Sequence, residues 1–231
     1  YPMSIDVEEV RRIAGSSRAL DYERQLSLSC VERTIVRVDR AEPSKNILRG
    51  FKAYQLLLEH HPELLGKVKF MAFLLPSRTH IRQYERYLEE ITQITRAINS
   101  NFGRDDWQPV QVFYENNYTQ AIAAMRLYAA LLVNPVVEGM NLVAKEGPVV
   151  NTKEGVLVLS ESAGAYEELC TGVLGVSPAD LEGTAQALYE AVTMSVEERG
   201  RRAAILQQII EQQNVTHWHL SQFQDIRALL D

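Results

Sequence analysis

The chain has 231 residues and a formal net charge of −6, and its 24 Lys and Arg residues are scattered along it. Because these cations form no stripe, the composition argues against nucleic acid as the main partner, although a few well-placed cations are enough to hold a small anion. With 46% hydrophobic and 23% charged residues, the chain is typical of a soluble globular protein and not of a disordered one.

The cysteines and the apolar runs exclude further classes. Cys30 and Cys170 lie far apart and form no CxxC pair, so the sequence predicts neither a disulfide framework nor a zinc site. No apolar stretch reaches the roughly 20 residues of a membrane span, and no signal peptide is visible. We therefore expect a cytoplasmic protein with no membrane partner. Since the chain opens on Tyr1 without an initiator Met, we expect the natural N-terminus to lie upstream.

Apolar runs bounded by polar turns alternate with segments of helical period along most of the chain. Strands are predicted at 33–39, 67–76, 109–115, 129–135, 155–160 and 172–176. Helices are predicted at 46–61, from about 80 to 100, at 119–126, from 142 onward and near 167. Such alternation predicts an α/β fold, a Rossmann-like doubly wound parallel sheet, with a helical tail over 178–231.

Ligands of open parallel sheets bind outside the carboxyl ends of the strands, so the residues after each predicted strand are candidates for a site. Arg40 and Lys45 follow the first strand, and Arg78 follows the second. After the fourth strand, Asn141 is placed to cap a helix beginning at Leu142, whose free N–H groups and positive dipole end favour an anion. The sequence therefore predicts anion binding at this edge, although a lone arginine after a strand is more often solvated or salt-bridged.

Two glutamates flank this helix start. Gly139 permits close approach of a ligand to the backbone. Glu146 lies roughly 7.5 Å along the helix axis, at about 1.5 Å per residue, which places it near the ribose of a nucleotide whose diphosphate meets the helix start. Glu138 precedes the glycine and points to the other side of the phosphates, where a sugar hydroxyl is expected. Helices carry such glutamate pairs by chance, so the spacing alone is a weak signal.

Four segments together form a more specific pattern: VDRAEPSKN, the PSR after the second strand, NPVVEGMNLVAKEG and GVLVLSESAGAYEEL. They resemble the trehalose-6-phosphate synthase family of retaining GT-B glycosyltransferases, and the match covers essentially the whole chain. The resemblance implies one nucleotide-sugar-binding domain over 1–231, with the sheet and its helices at 32–177 and C-terminal helices at 178–231. The N-terminal domain that supplies most of the acceptor site is expected to lie outside these residues.

The resemblance implies roles for individual residues. The implied donor-binding residues are Arg40, Lys45, Glu138, Gly139, Met140, Asn141, Leu142, Val143 and Glu146. Arg40 and Lys45 look like the pair that neutralises the donor diphosphate, and they are the expected catalytic residues. Arg78 matches an arginine that meets the acceptor phosphate, whereas Tyr118 and Ile122 fall where the base pocket is expected. No metal ligand is implied, and no cofactor, because the nucleotide sugar is a substrate.

These roles predict transfer of glucose from UDP- or GDP-glucose to glucose 6-phosphate, giving α,α-trehalose 6-phosphate, with the charge of the leaving diphosphate met by the cations and the helix start. The expected partners are the nucleotide sugar, the sugar phosphate acceptor and the N-terminal domain of the same protein; the chain alone is expected to be inactive. The sequence leaves the oligomeric state open, a homo-oligomer included.

Two departures from the family pattern keep alternatives open. Glu138 stands where the family usually has Asp, and RAEPSKNILRGF replaces the more usual LDYSKG pattern. The second variant is similar to an actinobacterial branch that includes GDP-sugar users and a pseudoglycosyltransferase. One alternative is therefore a related glucosyl- or pseudoglycosyltransferase with another phosphorylated acceptor. The other is a nucleotide-sugar-binding module without turnover.

Overall fold

A six-stranded sheet forms the centre of the computed structural model, which describes residues 1–78 and 80–229. The strands are Arg33–Arg40 (β1), Val68–Leu75 (β2), Val110–Tyr114 (β3), Ala130–Val133 (β4), Val156–Ser160 (β5) and Leu174–Val176 (β6). Their order is β3-β2-β1-β4-β5-β6, and every neighbouring pair is parallel. The structure thus confirms the predicted doubly wound parallel sheet.

Helices cover both faces of this sheet and extend beyond it. They are Val7–Ala14 (α1), Ser17–Ser27 (α2), Ile47–His60 (α3), Arg82–Phe102 (α4), Tyr118–Met125 (α5), Val143–Val150 (α6), Ala165–Leu169 (α7), Leu181–Thr193 (α8), Val196–Gln212 (α9) and Val215–Ala228 (α10). The predicted helical tail is confirmed as α8, α9 and α10. Within residues 1–78 and 80–229, every helix is too short or too polar to cross a bilayer.

The helices α1 and α2 had no counterpart in the sequence predictions. Both begin with a capping side chain: Asp6 accepts a hydrogen bond from the Glu9 N–H at 3.0 Å, and Ser16 accepts one from the Ala19 N–H at 3.3 Å. Only three residues of α1 and two of α2 are buried. Both segments are short, at 8 and 11 residues, and mostly polar, so they offer few apolar positions, and their capping residues mark where they begin.

Two hydrophobic clusters, one on each face, hold the sheet in place. Along β1, Ile35 belongs to the cluster under α3, α4 and α8, whereas Val36 and Val38 belong to the cluster under α1, α5, α6 and α9. This alternation is the normal consequence of strand geometry, in which successive side chains point to opposite faces. Because both faces are covered, the edge formed by the carboxyl ends of the strands is where loops can meet a ligand.

The connections from β1 and β4 leave that edge in opposite directions. β1 pairs with β2 on one side and with β4 on the other, and the chain order reverses between β1 and β4. After β1 the chain turns through a short 3-10 helix, Pro43–Lys45, into α3, and after β4 it passes through a loop into α6. The crevice between these two connections is the usual ligand position in doubly wound sheets.

A buried ion pair fixes α6 against α7 and the N-terminal segment. The Lys145 side chain is almost fully buried, and its Nζ donates to both carboxylate oxygens of Glu168 at 3.0 and 2.9 Å and to the backbone oxygen of Met3 at 3.0 Å. All three donor positions of this ammonium are therefore used inside the protein.

Replacing Lys145 with methionine should destabilise the chain, because Glu168 and the Met3 carbonyl then lose their charged partner in a buried environment. We expect Lys145→Met to lower the free energy of unfolding by about 3 kcal/mol, measured by urea denaturation. The matched control is Arg201→Met, which removes a cation from an exposed pair with Glu198 on α9 and should change stability little. Equal effects of the two substitutions would show that the Lys145 pair has no special structural role.

Candidate functional site

The turn after β1 places Lys45 at the crevice. Its side chain is only 9% exposed, and its ammonium pairs with the carboxylate of Glu138 from the β4–α6 loop and lies 3.8 Å from that of Asp39. Asn46 follows in a left-handed conformation with φ 60°, which asparagine tolerates better than most residues. The Asn46 Nδ2 donates to the backbone oxygens of Asn134 and Pro178 at 3.0 and 2.8 Å. The turn is thereby tied to the end of β4 and to the loop before α8.

A fully buried arginine lies beneath this lysine. The Arg37 Nε donates to the Asp39 carboxylate at 2.8 Å, and the same guanidinium donates to the backbone oxygen of Lys45. Gly50 of α3 makes room for it, since a Cβ there would lie 2.4 Å from Arg37 Nη1. Burial raises the pKa of Asp39, and the charges of Arg37 and Lys45 act in the opposite direction. The three side chains form one charged unit under the crevice.

Sequence reasoning missed Arg37 and Asp39, although the signal was present. Both alternate with apolar residues in RTIVRVDR, inside a strand that is buried on both faces. A charged side chain in such a strand must be paired within the protein, because an unpaired buried charge is very costly. Two opposite charges separated by one residue point to the same face and therefore predict an internal pair.

The backbone of Glu138 is clamped by the loop after β5. Its N–H donates to the Ser162 oxygen at 3.2 Å, and its own oxygen accepts from the Gly164 N–H at 2.9 Å. Only glycine fits at position 164, because a Cβ there would lie 2.0 Å from the backbone oxygen of Gly139. The glycine in the segment SESAGAYEEL thus allows two neighbouring loops to touch, and this contact fixes the position of the Glu138 backbone.

The start of α6 has the open backbone groups that the sequence predicted. Asn141 supplies the capping bond, with its Oδ1 accepting from the Ala144 N–H at 3.0 Å and its Nδ2 donating to Glu138 Oε2 at 2.9 Å. The helix itself begins at Val143, one residue after the predicted start. Among the described residues, no acceptor meets the N–H groups of Gly139, Met140, Leu142 and Val143. Free amides at a helix start favour an anion.

Glu146 lies one turn further along α6 and contacts α5. Its Oε1 accepts a hydrogen bond from the Tyr118 hydroxyl at 2.9 Å. Burial raises the pKa of Glu146, and the hydrogen bond from Tyr118 offsets part of this increase. The pKa of Tyr118 is raised as well, first by burial and then by the neighbouring carboxylate. Ile122 is different, since its side chain is fully buried in the core and does not line the crevice.

The remaining cations lie toward the outer part of the crevice. The Arg40 side chain is 55% exposed, and its Nη1 lies 2.7 Å from the carboxylate of Glu42, which also accepts a hydrogen bond from the Ser77 hydroxyl at 2.6 Å. Arg78 is exposed after β2, with a positive φ of 43° and its guanidinium 5.7 Å from the Tyr84 ring. Glu42 is a further residue of this edge that sequence reasoning did not single out.

The structure therefore brings most of the predicted residues to one edge of the sheet. Some of them are hydrogen-bonded to one another, and others contact neighbouring loops instead. Lys45, Glu138 and Asn141 form one continuous hydrogen-bonded cluster that ends at the open amides of α6. Arg40 reaches the β2 loop through Glu42 and Ser77. Such an array of cations and free amides is suited to a bound anion of several charges.

Comparison with known proteins identifies a family whose model matches nearly the whole chain. Residues 1–228 match the model of glycosyltransferase family 20. The chain is 31% identical to the trehalose-6-phosphate synthase of Sodalis glossinidius, covering 99% of this chain and 49% of that protein. It is 34% identical to the bifunctional trehalose-6-phosphate synthase/phosphatase of Thermoproteus tenax, covering 94% and 30% respectively. The chain thus spans half or less of the length of these relatives.

Solved structures of similar proteins share its fold. The UDP-forming α,α-trehalose-phosphate synthase of Burkholderia xenovorans, in complex with glucose-6-phosphate, superposes with a TM-score of 0.92 at 30% identity, covering 98% of this chain and 51% of that one. A structure from Escherichia coli bound with UDP-2-fluoro glucose superposes with a TM-score of 0.89 at 30% identity, covering 97% and 50%. Because the family match extends over nearly every residue, the chain belongs to glycosyltransferase family 20.

Proposed function

We propose that this chain is the nucleotide-sugar-binding half of a retaining glycosyltransferase that transfers glucose from a nucleotide-glucose to glucose 6-phosphate, giving α,α-trehalose 6-phosphate. The observation that carries the proposal is the cluster of Lys45, Glu138 and Asn141 beside the free amides at the start of α6. The names of the similar proteins support this reaction, and "UDP-forming" in one of them favours UDP-glucose as the donor.

Each part of the site has a distinct task in this proposal. The diphosphate of the donor lies against Arg40, Lys45 and the amides of α6, where the charge that develops on the leaving group is met by groups already in place. Losing one such group typically costs about 3 kcal/mol of transition-state stabilisation. Glu146 accepts from the ribose hydroxyls and Tyr118 lies beside the base. The protein supplies no nucleophile, and the proposal includes no metal ion or cofactor.

The acceptor is held between this chain and a second domain of the same protein. In support, the relatives are about twice as long as the chain or longer, and Arg78 lies exposed at the outer part of the crevice, where it is placed to meet the acceptor phosphate. The helix α10 has no buried residue and exposes Leu220, Phe223 and Ile226, an apolar surface of the kind that another domain covers.

We propose residues 1–231 as one donor-binding unit.

The chain produced by itself should bind UDP but should not transfer glucose. Positioning of the two substrates contributes much of the rate in such reactions, and the acceptor side is incomplete here. Calorimetry with UDP, GDP and ADP measures binding, and an assay for trehalose 6-phosphate measures transfer. Formation of the disaccharide phosphate by the chain alone would contradict the two-domain part of the proposal, and binding of none of the three nucleotides would contradict the donor-binding part.

Substituting either phosphate-facing cation should weaken binding of UDP and leave uridine almost unaffected. We expect Arg40→Ala and Lys45→Met each to cost about 1.5 to 3 kcal/mol for UDP, because a charged hydrogen bond is lost. Calorimetry compares the two ligands, and thermal unfolding verifies that each variant is folded. Lys67→Ala is the control, an exposed cation beside the amino end of β2. Unchanged UDP affinity in both site variants would remove these cations from the diphosphate site.

The raised pKa of Glu146 predicts opposite effects on binding and on stability. Glu146→Gln should weaken uridine binding, because the amide is a poorer acceptor for the ribose hydroxyls than a carboxylate. The same variant should unfold at a higher temperature than wild type at about pH 7, where the folded chain carries the cost of an ionised, partly buried carboxyl.

The pH dependence gives the sign of this stability effect. An acid whose pKa is raised by folding loses stability as the pH rises from the ordinary value, near 4.5, through the folded value. The gain in melting temperature of Glu146→Gln should therefore shrink as the pH falls toward 4.5, in a series of thermal melts. A constant difference at all pH values, or a less stable variant at neutral pH, would contradict the assignment.

A further inference from the structure

Both cations that face the phosphates in the proposed function have a carboxylate partner within the chain. The Arg40 guanidinium lies 2.7 Å from Glu42, and the Lys45 ammonium pairs with Glu138. We propose that Glu42 and Glu138 are internal counter-ions, which hold these cations until an anionic ligand arrives and are then exchanged for its phosphates. The inference rests on the proposed function, because it concerns the same diphosphate site.

In the first pair the carboxylate is fixed and the cation can move. The Glu42 side chain is 9% exposed and also accepts from the Ser77 hydroxyl at 2.6 Å, so it is held by the β2 loop independently of the arginine. Arg40 is 55% exposed, and among the described residues its guanidinium pairs with Glu42 alone. The guanidinium can therefore turn from Glu42 toward the crevice while Glu42 keeps its hydrogen bond from Ser77. The pair opens by movement of the arginine.

In the second pair the cation is fixed and the carboxylate can move. The Lys45 ammonium is nearly buried between two carboxylates, of which Asp39 is 3% exposed and held by Arg37 at 2.8 Å, whereas Glu138 is 22% exposed. Asp39 is therefore the permanent partner and Glu138 the exchangeable one. When a phosphate replaces Glu138 on Lys45, the carboxylate keeps its bond from Asn141 Nδ2 at 2.9 Å and gains a free oxygen for a sugar hydroxyl.

This arrangement makes the site selective for ligands with two linked phosphates. The charges of Arg40 and Lys45 are each balanced locally, so the site exerts little net attraction on a monoanion. A diphosphate meets both cations at once, and the second exchange is then intramolecular and favoured by proximity. The two cations consequently raise the affinity for phosphate, whereas the two glutamates lower it.

Removing the negative charge of a counter-ion should tighten binding of UDP. Isothermal calorimetry on this chain compares wild type with Glu42→Gln, using UDP and uridine as probes. We expect UDP to bind about two- to fivefold more tightly to Glu42→Gln, as for loss of a competing surface ion pair, with uridine unchanged. The matched control is Glu23→Gln, which removes the charge of a half-buried pair with Arg126 between α2 and α5 and should leave both affinities unchanged.

Two further variants separate competition from simple structural support. Glu138→Gln should also tighten UDP, but it should reduce the affinity for UDP-glucose relative to UDP, because the released carboxylate serves the sugar. The gain from Glu42→Gln should vanish in the double variant Arg40→Ala/Glu42→Gln, since the glutamate acts only through that arginine. A structural role would instead lower the melting temperature and weaken UDP and uridine together.

The outcomes distinguish this inference from the proposed function. If Arg40→Ala weakens UDP binding while Glu42→Gln and Glu138→Gln weaken it or leave it unchanged, the carboxylates orient the cations and the counter-ion role is wrong, whereas the diphosphate site stands. If neither wild type nor any variant binds UDP, both are wrong. Binding that appears only after Glu42→Gln or Glu138→Gln supports the exchange directly.

Discussion

The Lys45 ammonium, buried between Asp39 and Glu138, is the interaction on which the rest of this edge depends. A buried cation needs partners that offset its loss of hydration, and each carboxylate that serves as such a partner needs support of its own. Arg37 gives that support to Asp39, and the space for Arg37 exists because α3 carries Gly50 where it passes the strand. Asn141 supports Glu138 and at the same time caps the next helix. One cation thus links β1, α3 and α6.

The same edge combines a fixed backbone with adjustable side chains. Hydrogen bonds from the β5–α7 loop clamp both sides of the Glu138 peptide, and Asn46 ties the β1 turn to β4 and to the loop before α8. These contacts keep the amides of α6 and the cations at a constant spacing, which is what electrostatic stabilisation of a leaving group requires. Exchange of partners among the charged side chains then needs no movement of the main chain.

Part of the site is built at a cost in stability. The raised pKa of Glu146 means that its ionised form is less favourable in the folded chain than in water, and Asp39 shows the same direction of change because of its burial. Such perturbed groups are common at functional sites, because the burial that serves binding also disfavours charge. Lys145, directly before Glu146 on α6, has the opposite role, since all its donor positions are satisfied inside the protein.

The sequence by itself determined the sheet, the order of strands and helices, and the edge at which Arg40, Lys45 and GMNLVAKE meet, because hydrophobic period and strand-end position are local signals. It did not determine α1 and α2, whose amphipathic pattern is short, nor the place of Ile122, which faces the core. Only the tertiary structure decided that Glu138 pairs with Lys45, that Glu42 is also held by Ser77 and that the Arg37–Asp39 pair lies beneath Lys45. Lys45 and Glu138 are 93 positions apart in the chain, so no local sequence pattern indicates that they pair. Their pairing depends on which loops meet in space.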